Sequence, residues 1–192
     1  MPAQTRTESP SPTPSSLERF NTEPAEDIER TLLTCLRSLR WARRLTDHRP
    51  YPDLDSLLAA ADEAAYDLTP GDLSEALAAE ALPALPDEVY SAAHMALGAA
   101  NAAYEARFGH VFVICLDGIP PSQVLNEILA AIRSRLTNDP EEERVVAAEE
   151  LRGLARERLG NALRGAGNCA TSHGRPAPGE TTASTSPSNR TQ

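Results

Sequence analysis

The sequence predicts an all-α fold: a single domain of about six to eight helices between two disordered tails. Three observations carry this. Apolar residues recur at three- and four-residue steps through most of the chain, the spacing of one helix face. Pro, Gly and N-capping residues stand between those runs, where helices start and stop. Only HVFVICLDG at 110–118 is β-branched and aromatic, and a lone strand has nothing to pair with.

The tails come first. Residues 1–16 and 166–192 are rich in Pro, Ser, Thr and Gly, so ordering them would cost entropy that no burial offsets. That leaves 17–165 as the domain, long enough for a sizeable core.

A first long helix is expected over 25–46, with Ile28, Leu32, Cys35, Leu36 and Leu39 on one face, ending before RPYP at 49–52. A second follows from about Asp53, turning Leu54, Leu57, Leu58 and Ala61 inward. Thr69 caps a third, with Pro70 in its first turn, and it stops near Ala81 because Pro83 and Pro86 do not fit a helix interior. Another covers about 87–107 and ends at Gly109. The 110–118 stretch is either a short buried strand or an extended segment between helices. Ser122 opens the next helix, with Leu125, Ile128, Leu129, Ile132 and Leu136 on one face. Asn138 or Asp139 caps the last, which carries Pro140 and three glutamates in its first turn and runs to about Leu163.

Composition excludes several chemistries. All 18 basic residues are arginine, so neither a lysine Schiff base nor a P-loop lysine is available. With 28 acidic residues the net charge is −10, which argues against nucleic acid as a partner. Cys35, Cys115 and Cys169 form no CxxC pair, and His48, His94, His110 and His173 show no metal-ligand spacing, so no metal site is expected. No signal peptide and no membrane-spanning run is visible, and the chain is expected to be soluble and cytoplasmic.

Two features invite a functional reading. Arg158 follows Leu154 by four residues and Leu151 by seven, on a face that should be buried. It is either a clamp for a substrate carboxylate or an arginine that pairs with a core Glu or extends its head to the surface. Arg37, Arg40, Arg43 and Arg44, with Trp41 beside them, form either a docking surface for an acidic partner or a nucleic-acid backbone, or a solvated helix face balanced by nearby Glu and Asp. His94 and His110 are candidate acid–base groups, although a lone histidine on a helix is usually structural or exposed.

A series of segments nonetheless resembles a known family. LERFN (17–21), TCLRSLRW (34–41), RPYPDLDSLLAAAD (49–62), LTPGDLSEALA (68–78), NAAYEARFGHVFVIC (101–115), RSRLTNDPEEE (133–143) and ELRGLARERL (150–159) look, in order, like blocks of the OHCU decarboxylases. Those enzymes act on 2-oxo-4-hydroxy-4-carboxy-5-ureidoimidazoline in urate catabolism, giving (S)-allantoin and CO₂.

The resemblance implies an all-helical, cofactor-free, commonly dimeric protein. It implies that Phe112, Val113, Ile114, Cys115 and Leu116 offer main-chain groups to the ligand, and that Arg158 holds the substrate. The family's HPxIG-like sequence, whose histidine donates a proton, is absent. Counting without a gap from Leu68, its position falls on Glu80, followed by Ala81 as a further binding residue, and Glu88 is a loose substitute for a catalytic glutamate. Two expectations follow: a decarboxylase with Glu80 as a proton donor, or a catalytically silent homologue that binds a ureide or a protein partner.

Overall fold

The computed structural model describes residues 15–82 and 91–168. Within them the chain forms eight helices: α1 (Ser16–Thr22), α2 (Ala25–Cys35), α3 (Leu39–Asp47), α4 (Leu54–Tyr66), α5 (Pro70–Ala78), α6 (Ser91–Phe108), α7 (Pro121–Arg135) and α8 (Pro140–Asn168). The expected tails lie outside the described residues except at their inner edges, where α1 starts at Ser16 and α8 runs on to Asn168. None of the described helices is long and apolar enough to cross a membrane.

Local chemistry sets most boundaries. Ser15 and Thr69 cap α1 and α5 in reciprocal capping boxes with Glu18 and Asp72, and Asp53 caps α4 through the Ser56 N–H. Asp139 accepts from the Glu141 and Glu142 N–H groups, both at 2.9 Å, at the start of α8. Gly109 ends the α6 region at φ 80°, in the left-handed region that glycine enters without a Cβ penalty.

The expected helix over 25–46 is broken. Leu36 and Ser38 are extended, and the Ser38 side chain caps a new helix by accepting from the Trp41 N–H. Packing explains the break. Apolar periodicity runs through it, yet Leu36 and Trp41 are both fully buried, and a turn is needed to bring both inside. Trp41 thus belongs to the core, its Nε1–H donating to the Ala61 carbonyl at 3.0 Å, and not to the arginine face of α3. Arg37, Arg40 and Arg43 are exposed, and Arg44 pairs with Asp67.

Long helix α8 is the axis: α1, α2, α4 and α5 all pack on it, while α6 and α7 pair with each other. Two apolar clusters result, one on each side of the extended stretch at 111–116. Val111 and Val113 face the cluster built on α8, whereas Phe112, Ile114 and Leu116 face the α6–α7 cluster. This is the period-two alternation of a strand.

No strand pairs with it among the described residues; side chains take the place of a ladder. The Phe112 N–H donates to Asn101 Oδ1 at 3.0 Å, the Val113 carbonyl accepts from Arg135 Nη1 at 2.8 Å, and the Cys115 N–H donates to Glu150 Oε2 at 2.7 Å. Buried main-chain groups must be paired, and here α6, α7 and α8 each supply one partner.

Candidate functional site

The break between α2 and α3 creates the first element of the site. In a continuous helix the Cys35 carbonyl would accept from the Leu39 N–H; with Leu36 and Ser38 extended it is left for another donor. Arg158, one turn below Leu154 on α8, donates to it through Nη1 at 3.1 Å.

Glu80 completes the pair. It lies just past the C-terminus of α5, and its carboxylate takes both ends of the guanidinium, Oε1 from Nη1 at 2.7 Å and Oε2 from Nη2 at 2.8 Å. The Glu80 side chain is only 8% exposed, that of Arg158 37%. Arg158 is pushed further above the usual arginine range, chiefly by its hydrogen bonds to Glu80 and against the opposing effect of burial.

Arg158 still has donors in reserve. A guanidinium carries five N–H groups. Glu80 and Cys35 account for three. Nε–H and the second Nη2 proton, which form the adjacent two-pronged edge, have no acceptor among the described residues.

The pair lies on a cleft of ≈ 320 Å³ lined by Glu80, Ala81, Val113, Ile114, Leu116, Leu154, Glu157 and Arg158. That volume suits a small molecule. One wall is the extended segment, and there the Ile114 N–H and C=O and the Leu116 N–H have no partner among the described residues. Glu80 also borders a second cavity of ≈ 360 Å³, with Glu105 and His110 in its wall. His110 Nδ1 lies 2.9 Å from the Val111 carbonyl. His94 is exposed on α6.

The residues expected at the site divide accordingly. Glu80, Ala81, Val113, Ile114, Leu116 and Arg158 come together. Phe112 does not: its side chain is fully buried in the α6–α7 cluster, stacked edge-on against Tyr104, and its N–H is taken by Asn101. Cys115 points to α8, its Sγ 3.9 Å from Glu157, and its N–H is taken by Glu150. Burial pushes its thiol up, with Glu157 and Glu150 acting the same way. Glu88 lies outside the described residues.

A buried polar network was not anticipated. Arg135 and Glu143, 8% and 1% exposed, form an ion pair at 2.5 Å, with Tyr104 O–H donating to Glu143 and the Arg135 guanidinium 4.5 Å from the Phe112 ring centroid. Arg135 Nη1 also lies 3.6 Å from Glu150. The same atoms that satisfy this network therefore hold the cleft's main-chain wall. Spacing held the signal: Ile128, Ile132 and Arg135 share one face of α7, and Glu143, Ala147 and Leu151 one face of α8.

An apolar groove of ≈ 380 Å³ between α4, α5 and α8 offers no comparable chemistry. Its rim arginines, Arg144 and Arg152, are paired with Glu141 and Glu149 of their own helix.

Fold and cleft together define an all-helical protein built around a small-molecule-sized pocket with an arginine–carboxylate pair on its wall. Residues 21–89 and 84–160 match the family described as OHCU decarboxylase, and the chain belongs to that family. Solved structures share the fold, two of them as follows. An (S)-allantoin synthase superimposes with a TM-score of 0.60 at 22% identity, covering 76% of this chain and 53% of that one. An OHCU decarboxylase crystallised in the presence of (S)-allantoin gives 0.59 at 23% identity, covering 69% of this chain and 96% of that one. The chain thus spans about half the length of the synthase and nearly all of the decarboxylase. No curated protein matches the sequence.

Proposed function

We propose that the protein binds 2-oxo-4-hydroxy-4-carboxy-5-ureidoimidazoline in the Glu80–Arg158 cleft and decarboxylates it to (S)-allantoin. Family membership supports the substrate class. The observation that carries the reading is the convergence of Arg158, Glu80, Ile114 and Leu116 on one cleft, although they come from three distant parts of the chain.

The chemistry follows from charge. Departure of CO₂ leaves an electron pair on a ring carbon, which delocalises into the imidazoline and then takes a proton on one face. Arg158 holds the departing carboxylate, the N–H groups of Ile114 and Leu116 and the Ile114 carbonyl meet the polar ring edge, and Glu80 returns the proton. Leu154, Val113 and Ala81 cover the remaining faces. No cofactor enters this scheme. The partner is a small molecule, and the protein works as a homodimer in the cytoplasm.

A second reading has its own support. Glu80 already occupies the guanidinium edge best placed for a ligand carboxylate, as in a catalytically silent homologue that only binds a ureide. Circular dichroism separates the two. Substrate is generated in the cuvette from urate with urate oxidase and hydroxyisourate hydrolase, and the protein is added. Uncatalysed decay protonates both faces and leaves no lasting signal. A persistent (S)-allantoin signal supports the decarboxylase, and a trace indistinguishable from the blank leaves only the binding role.

A further inference from the structure

The cleft wall contains two carboxylates, Glu80 and Glu157, and one guanidinium, Arg158. Without ligand, Glu80 acts as the counter-ion: both of its oxygens accept from Arg158, and in that geometry it has no O–H to give. Arg158 keeps its Nε–H and second Nη2 proton unused, a complete fork for a second carboxylate.

We propose that a carboxylated ligand docks on this second fork of Arg158 and that its arrival drives one proton onto Glu80, converting it from a counter-ion into an acid. This rests on the decarboxylase reading of the site and supplies the step that reading lacks, a source for the proton. Two carboxylates on one guanidinium, with Glu157 a third negative charge on the same wall, repel one another, and one of them takes a proton. The less solvated one takes it. Glu80 is 8% exposed, whereas the ligand's carboxylate holds the fork on Arg158's open edge.

Other charged groups around Glu80 do not remove the repulsion. Arg158 and Glu157 face it from α8; Glu105 of α6 and His110 face the second cavity that Glu80 also lines. Cys35 of α2 contributes a carbonyl to Arg158 and a buried thiol. Of these only Arg158 is a fixed cation.

The cycle balances. Binding draws one proton from solvent onto a Glu80 oxygen. The ring–carboxylate bond breaks, CO₂ departs and the electron pair passes into the bond to the neighbouring, ureido-bearing ring carbon, whose imine pair shifts onto nitrogen. As the hydroxyl-bearing carbon becomes a carbonyl, its hydroxyl proton passes to that nitrogen, and Glu80 O–H transfers its proton to the ureido-bearing carbon and becomes a carboxylate again. The uncharged product has no claim on the second fork, and Glu80 is once more the counter-ion of Arg158. Per turnover, one carboxylate and one proton become one C–H bond and CO₂.

Proton uptake on binding tests this without turnover. Hydantoin-5-acetic acid, a stable carboxylated cyclic urea, and uncharged hydantoin are titrated into the full chain by calorimetry at pH 7 in two buffers of different ionisation enthalpy. The expected result is uptake of about one proton per site with the carboxylated probe and none with hydantoin. Glu80→Gln abolishes the uptake and binds the carboxylated probe as tightly or more tightly. Binding of that probe without proton uptake overturns the proposal. So does uptake that persists in Glu80→Gln, which assigns the proton to His110 or another group, and so does failure of the carboxylated probe to bind at millimolar concentration. The two-probe contrast on the unaltered chain stands even if the variant does not fold. Uptake without turnover leaves this inference intact and removes the decarboxylase reading; turnover without uptake does the reverse.

Discussion

Glu80 and Arg158 stand 78 residues apart and meet at two points, Oε1 to Nη1 at 2.7 Å and Oε2 to Nη2 at 2.8 Å. The group read as proton donor therefore rests on the group read as substrate clamp. Of the two sequence readings of Arg158, a ligand clamp or a partner for a core Glu, the structure shows the second. It holds a glutamate with one edge, and its other edge has no acceptor among the described residues.

Removing Arg158 leaves Glu80 buried and unpaired. Arg158 is partly exposed, so the cost falls between the surface and buried limits: Arg158→Ala is expected to lose about 1–3 kcal/mol. Urea denaturation measures it. Adding Glu80→Leu to Arg158→Ala should recover part of the loss, because no lone charge is then left inside. If the double variant were less stable than the single one, the pair would not be the source of the effect.

Arg135 and Glu143 form a more deeply buried pair, and breaking it costs more. Glu143→Ala is expected to lose about 3–5 kcal/mol. Replacing both partners with apolar residues, Arg135→Met with Glu143→Leu, should cost less than either single change in the same denaturation assay. Because Arg135 also holds the Val113 carbonyl, the double variant should bind hydantoin more weakly even where its stability recovers. Unchanged hydantoin affinity would show that this network does not set the cleft wall.

Much of this was legible in the chain. Caps at Thr69, Asp53 and Asp139 and the stop at Gly109 are local chemistry, and local chemistry is visible in sequence. The break at Leu36–Ser38 is not, since a helical apolar stripe runs through it and only the tertiary placement of Leu36 and Trp41 imposes the turn. The extended stretch shows the same limit. Its residues alternate like a strand, and which partners replace the missing ladder depends on Asn101, Arg135 and Glu150 from three helices. Arg158 was visible through its register with Leu151 and Leu154; its pairing with Glu80 is a contact across 78 residues that no spacing announces.

Gly153 and Cys115 mark a close approach of α8 to the cleft wall. A Cβ on Gly153 would meet Cys115 Cβ and Sγ at 3.1 Å, so the extended segment would have to shift. Gly153→Ala is expected to cost about 1–3 kcal/mol, read as a lower thermal midpoint. Combining it with Cys115→Ala, which removes the sulfur, should recover part of that. No change on Gly153→Ala would mean that the segment yields freely.

High pH should weaken the fold. Burial, together with its hydrogen bond to Glu143, pushes the Tyr104 phenol well above the usual tyrosine value, and burial pushes Tyr51 up as well. A raised value means that the folded state holds the proton after the unfolded chain has released it. This contribution is complete below about pH 10, the unfolded tyrosine value, and is lost as pH rises beyond it. The buried thiol of Cys35 and the partly buried thiol of Cys115 act in the same direction from about pH 8.5. Urea midpoints at pH 8, 10 and 11 should fall in that order, and more shallowly above pH 10 in Tyr104→Phe. A flat series would contradict this.

The most direct test of the account follows stereoselective product formation in the unaltered protein and in Glu80→Gln, side by side, on freshly generated substrate. Gln keeps the shape of Glu80 but has no acidic proton to deliver. The account predicts a lasting (S)-allantoin dichroism signal with the unaltered chain and its loss, by roughly 10²–10⁴-fold in rate, in the variant. An undiminished signal in Glu80→Gln, or none from the folded unaltered protein, would contradict it.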